Sequence, residues 1–176
     1  MKKWCVLLGG FLIHFCLGIP YIFGNLVTYI SSYMHHRGFY KKDNIGDEQW
    51  IISPFMAALI IAMTITRSII KRLGVRLALF MATAVFTGGQ FLTYLAVQHS
   101  IWSTVITYGA ICGLGAGVSY VTTVDLASQW FPSNVATATS MVTAGFSFGG
   151  LVFNYVVSFY VNPENLSPDI QLGSLR

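Results

Sequence analysis

Two long uncharged apolar runs flank one short cationic segment, and little else in the chain constrains its fold as strongly. Residues 67–76 read Arg67-Ser68-Ile69-Ile70-Lys71-Arg72-Leu73-Gly74-Val75-Arg76 and carry four of the ten Lys and Arg residues. Residues 49–66 before it and 77–124 after it contain no Asp, Glu, Lys or Arg. Such a knot reads as a tight water-side loop between two membrane spans, held on the cytoplasmic side by its cations.

Composition supports this. Only 9% of the residues are charged and 55% are hydrophobic, whereas soluble domains average about 25% charged. A soluble fold could not solvate its surface with so few charges. The apolar runs are continuous over about 20 residues, as spanning helices require, and do not alternate as barrel strands do. The fold class expected is therefore an all-α membrane protein.

Five spans are predicted, at about 4–30, 49–66, 77–97, 101–124 and 135–161, with a polar extracytoplasmic tail at 162–176. The opening Met1-Lys2-Lys3 resembles a signal peptide. The apolar run that follows is too long for one, so an uncleaved first span is expected. With the N-terminus inside, the inner segments hold six cations (Lys2, Lys3, Arg67, Lys71, Arg72, Arg76), and the outer first loop holds three, balanced by three acids. That bias agrees with the positive-inside rule. Trp4, Trp50, Trp102 and Trp130 fall at predicted span ends, as an aromatic belt would place them. The net charge of +4 resides in these loops and reflects topology rather than a nucleic-acid partner. Cys5, Cys16 and Cys112 lie within apolar runs without CxxC spacing and read as small core residues.

Span one carries a stripe of small and polar residues. Gly10, His14, Gly18, Tyr21, Asn25 and Thr28 are separated by four, four, three, four and three positions, which keeps them on one helical face. That face turns away from lipid, toward either a neighbouring helix or a water-filled path. Both remain open from the sequence, and His14 reads as either a satisfied structural histidine or a proton carrier. Gly109, Gly113 and Gly117 in span four, and Gly145 and Gly149 in span five, form small-xxx-small ridges that let a second helix approach at backbone distance. Tyr120, Thr122, Thr123 and Asn154 are further candidates for polar lining. No nucleophile triad, metal-spaced His/Cys cluster or phosphate-cradling loop occurs. The chain reads as a non-enzyme without cofactor or metal, its partner the lipid bilayer.

Two motifs bear a resemblance. The basic segment is similar to the G-x-x-x-D-R-x-G-x-R loop between the second and third helices of the major facilitator superfamily. Arg72, Gly74 and Arg76 match; Arg67 replaces the glycine and Lys71 the aspartate that helps latch neighbouring inner helix ends. Gln129-Trp130-Phe131-Pro132, Ala136-Thr137 and Ala144-Gly145-Phe146-Ser147-Phe148-Gly149 resemble the W-F-P … A-T-G … A-G-F-G-F-G run of the oxalate/formate antiporter-like branch, related to the monocarboxylate transporters. Gly9-Gly10-Phe11-Leu12-Ile13-His14, with Gly18, Tyr21, Gly24 and Asn25, resembles that branch's first helix.

The resemblance covers the family's N-terminal half without its sixth helix. It implies a transporter of small carboxylates working by alternating access, as a truncated or partial chain. His14, Tyr21, Asn25, Thr28, Tyr120 and Asn154 would face the path, and Arg72, Gly74 and Arg76 would form the gating loop. The partners implied are a carboxylate and either the missing C-terminal half or another membrane protein. A non-transporting structural or regulatory membrane partner is the alternative. The cations that meet carboxylates in that branch belong to the other half, and no cation lies inside a span here.

Overall fold

The computed structural model describes residues 2–25, 27, 29–30 and 49–161. Thr28, the polar first loop with His35 and His36, and the tail lie outside the described residues. Helix α1 covers Lys2–Leu17 and continues through a 3-10 turn at Ile19–Ile22. Helices α2 (Gln49–Leu73), α3 (Val75–Ala96) and α5 (Val135–Val161) follow the apolar runs. Helix α4 runs from Ile101 to Trp130, with a π-helical stretch over Val105–Cys112. All five segments are long and apolar enough to cross a membrane, and the protein is a multi-pass all-α membrane protein.

Two local features depart from expectation. The first span is not one continuous helix: Pro20, in the first turn of the 3-10 segment, cannot continue the hydrogen-bond ladder of α1. The basic segment is not a ten-residue turn either. Helix α2 extends through Arg67, Lys71 and Arg72 to Leu73, and α3 resumes at Val75. Gly74 alone makes the turn, at φ +76°, where a residue with a Cβ would be strained. Lys71 and Arg72 thus occupy the last turn of α2, next to its negative dipole end, with Arg67 a turn earlier and Arg76 in the first turn of α3.

Helix α4 is the centre of the bundle. Half of its most apolar window is buried, against 22% for α3 and α5. One side of α4 packs on α2 and α3 around Ile51, Phe55, Phe86, Tyr108, Cys112 and Ala116. Its other side packs on α1 and α5 around Leu7, Ala127, Ala138 and Val142. Large apolar side chains such as Ile60, Phe80, Phe91 and Leu151 point outward. In water that surface would be a liability; in hydrocarbon it is ordinary lipid contact. All four tryptophans are exposed, consistent with positions at the membrane interface.

Candidate substrate path between helices one, four and five

The glycines fix how closely these helices approach. A Cβ on Gly113 would lie 2.6 Å from the Phe55 carbonyl oxygen, and one on Gly117 would lie 2.5 Å from that of Leu59. Gly109 meets Pro54 and the Ile51 carbonyl. The whole ridge therefore lies on α2 at backbone distance. Gly115, one step round the helix, meets Ala82 and Phe86 of α3 in the same way. On the other side Gly145 and Gly149 lie against the Phe11 and Phe15 carbonyls of α1. Gly18 returns the contact: a Cβ there would lie 2.5 Å from both the Gly150 nitrogen and the Phe146 oxygen.

The polar stripe of span one faces this α4–α5 side, and it both packs and lines a groove. Gly10 abuts Val142, and Gly18 abuts the α5 backbone. His14 is fully buried, with Nε2 2.7 Å from Thr123 Oγ1 on α4. Its ring stacks on Tyr120 at 4.7 Å and meets the edge of Phe146 at 6.3 Å. Tyr21 packs edge-on against Phe146 at 4.7 Å. Asn25 Nδ2 donates to Asn154 Oδ1 at 2.7 Å, tying α1 to α5. Of the six path candidates, His14, Tyr21 and Tyr120 thus converge on one aromatic cluster, while Asn25 and Asn154 form a separate clasp.

An open groove of about 280 Å³ lies beside the cluster, lined by Tyr21, Tyr120, Ser140, Thr143, Ala144, Phe146 and Ser147. Five of these residues carry hydroxyls and none is charged. The α5 contribution was not picked out from the sequence, although its signal was present. Ser140, Thr143 and Ser147 are spaced three and four apart, a polar face on an apolar helix. Thr122 faces elsewhere: it lines a second groove of about 170 Å³ with Arg67, Lys71, Asp125 and Gln129. Arg72, Gly74 and Arg76 are exposed at the α2–α3 junction.

Comparison with known proteins agrees with this architecture. The sequence profile described as "Sugar (and other) transporter" matches residues 4–166. The chain belongs to that family, within the major facilitator superfamily. It is 24% identical to apicoplast pyruvate carrier 1 of Toxoplasma gondii, over 95% of this chain and 37% of that protein. It is 25% identical to a riboflavin transporter of Saccharomyces cerevisiae, over 95% of this chain and 31% of that protein. Against monocarboxylate transporter 9 of Rattus norvegicus the figures are 24%, 89% and 30%. The chain thus spans about a third of the length of these relatives. No solved structure matches it.

Proposed function

We propose that this major facilitator protein moves small carboxylates across a membrane by alternating access, and that the α1–α4–α5 groove is one wall of their path. The observation that carries the reading is the groove itself. It places five hydroxyl-bearing side chains beside the buried His14, near the middle of the first and fifth spans. Hydroxyls can donate to a carboxylate, and the aromatic faces of Tyr21, Tyr120 and Phe146 can hold a short carbon chain. Two relatives are named for pyruvate and monocarboxylates, and both substrate classes fit a slot of this size. The glycine contacts between α1 and α5 would let those helices rock without large side-chain rearrangement. In this reading the N-terminus and the Arg72–Gly74–Arg76 junction are cytoplasmic, and the cations restrain the inner ends of α2 and α3.

The test is uptake of labelled pyruvate by proteoliposomes containing the purified protein. Saturable uptake, inhibited by excess unlabelled monocarboxylate, is the expected result. Uptake no faster than in empty vesicles for pyruvate, lactate and oxalate alike would defeat the reading.

A further inference from the structure

His14 has one satisfied nitrogen and one that is not. Thr123 Oγ1 lies 2.9 Å from the main-chain oxygens of both Ser119 and Tyr120. Carbonyl oxygens only accept, so the single hydroxyl hydrogen is directed to them, and Oγ1 accepts from His14 Nε2–H. The hydrogen on Nε2 leaves a lone pair on Nδ1, which is buried and has no hydrogen-bond partner among the described residues. A buried polar atom left so costs about 1–3 kcal/mol. The same ring is covered by Tyr120 and Phe146, and both of those residues line the groove. A single aromatic layer therefore separates the His14 ring from the groove.

We infer that His14 is the counter-charge for the substrate: Nδ1 takes up a proton as a carboxylate enters the Tyr21–Tyr120–Phe146 groove, and the imidazolium pairs with it. This rests on the carboxylate reading above. The surroundings leave no competitor among the described residues. Helix α4 presents Tyr120 and Thr123 to the ring, and α5 presents Phe146 and the Gly145 backbone. Asp125 lines the other groove, with Arg67 and Lys71. A lone carboxylate or a lone imidazolium is expensive inside the bilayer, whereas the pair is neutral overall. Each therefore favours the arrival of the other. The proton comes from water entering the groove and forms an N–H bond at Nδ1, with Nε2–H still held by Thr123. On release the carboxylate leaves and the proton returns to water on the same side. Tyr120 must swing aside for the pair to form, which makes it the cover of the site.

The experiment measures binding of labelled pyruvate to the protein in lipid nanodiscs from about pH 5 to pH 8, with neutral pyruvamide as a competitor. The wild type is expected to bind about tenfold more weakly per pH unit of rise wherever unliganded His14 is neutral, and to take up one proton per pyruvate bound. Pyruvamide should compete without that slope. His14→Gln should bind at least tenfold more weakly at the low end and show a flat profile; His14→Arg should restore binding with a flat profile. A His14→Gln protein that keeps the wild-type slope overturns the proposal and leaves carboxylate transport standing. No pyruvate, lactate or oxalate binding by the wild type at any pH overturns both. Should His14→Gln fail to fold, histidine 15N spectra of the wild type decide the matter. Protonation of Nδ1 on adding pyruvate supports the pairing, and an Nδ1 that stays unprotonated with pyruvate bound rejects it.

Discussion

Helix α4 has two sides built by opposite rules. Toward α2 and α3 it presents Gly109, Gly113, Gly115 and Gly117, and the partner backbones fill the space a side chain would need. Thr66 of that half bonds within its own helix to Ala62 O, and Thr93 bonds both to Gly89 O of its own helix and, at 3.2 Å, to Thr107 Oγ1 of α4. Toward α1 and α5, α4 presents Tyr120 and Thr123, which are bound or stacked to His14 and border an open groove. One side is closed at backbone distance along the glycine ridge, and the other borders the groove beside His14. Each side buries a polar atom with no hydrogen-bond partner among the described residues, Tyr108 Oη on the first and His14 Nδ1 on the second. On the proposed reading, the side of α4 that borders the groove is the one that faces the substrate path.

The sharpest way to break this comparison is to wedge the sealed side. Gly113→Leu should lower stability in detergent by about 3 kcal/mol or more, because its nearest neighbours are backbone atoms of Phe55 that cannot rotate away. An unchanged melting temperature would show that α2 and α4 are not packed so closely. Gly145→Leu, between α5 and α1, also meets backbone, at Phe11, and should likewise cost about 3 kcal/mol or more. On the proposed rocking of α1 against α5, it should reduce transport more than it reduces stability. Equal proportional losses in both would argue that the two sides do not differ.

Smaller effects sharpen the distinction. Thr123→Val removes the acceptor for His14 Nε2–H and should cost about 1–2 kcal/mol, while Thr122→Val, whose hydroxyl bonds to Val118 O of its own helix, should change stability by about 0.5 kcal/mol or less. Thermal unfolding of the pair in the same detergent tests the contrast. An Asn25→Leu, Asn154→Leu double-mutant cycle should give a coupling of about 0.6 kcal/mol, the usual size for an interhelical hydrogen bond in a membrane protein. A coupling near zero would remove the clasp. The smallest perturbation is chemical: in the Ser147→Cys protein the new thiol should react with a water-soluble maleimide, while Cys112, buried against Phe86, stays unmodified. Mass spectrometry of the labelled protein would show the reverse order if the grooved side were α2–α3–α4.

Much of this arrangement was legible in the chain. Continuous apolar runs, glycine ridges four residues apart and the stripe on span one are all periodic signals, and periodicity along a helix translates directly into a face. The basic segment was legible as a junction but misread as a long turn. Lys and Arg are good helix formers and favour a helix C-terminus, so only Gly74 had to leave the helix. Pro20 shows the converse: apolar residues on both sides of it concealed a break that proline imposes through its missing N–H. The Ser140–Thr143–Ser147 face was visible in principle and was overshadowed by the neighbouring Gly145 and Gly149.

The sequence by itself determined that this is a helical membrane protein with five apolar runs long enough to span, and which faces cannot meet lipid. These follow from hydration: charged groups are excluded from hydrocarbon, and backbone polar groups must be satisfied within each span. What lies opposite each face was decided only by the tertiary structure. His14 and Thr123 stand 109 positions apart, and no local pattern connects them. Their meeting depends on Gly18, Gly145 and Gly149 allowing α1 and α5 to close to backbone contact. That approach brings Tyr21 and Phe146 together and leaves the groove beside a buried nitrogen that none of the described residues satisfies.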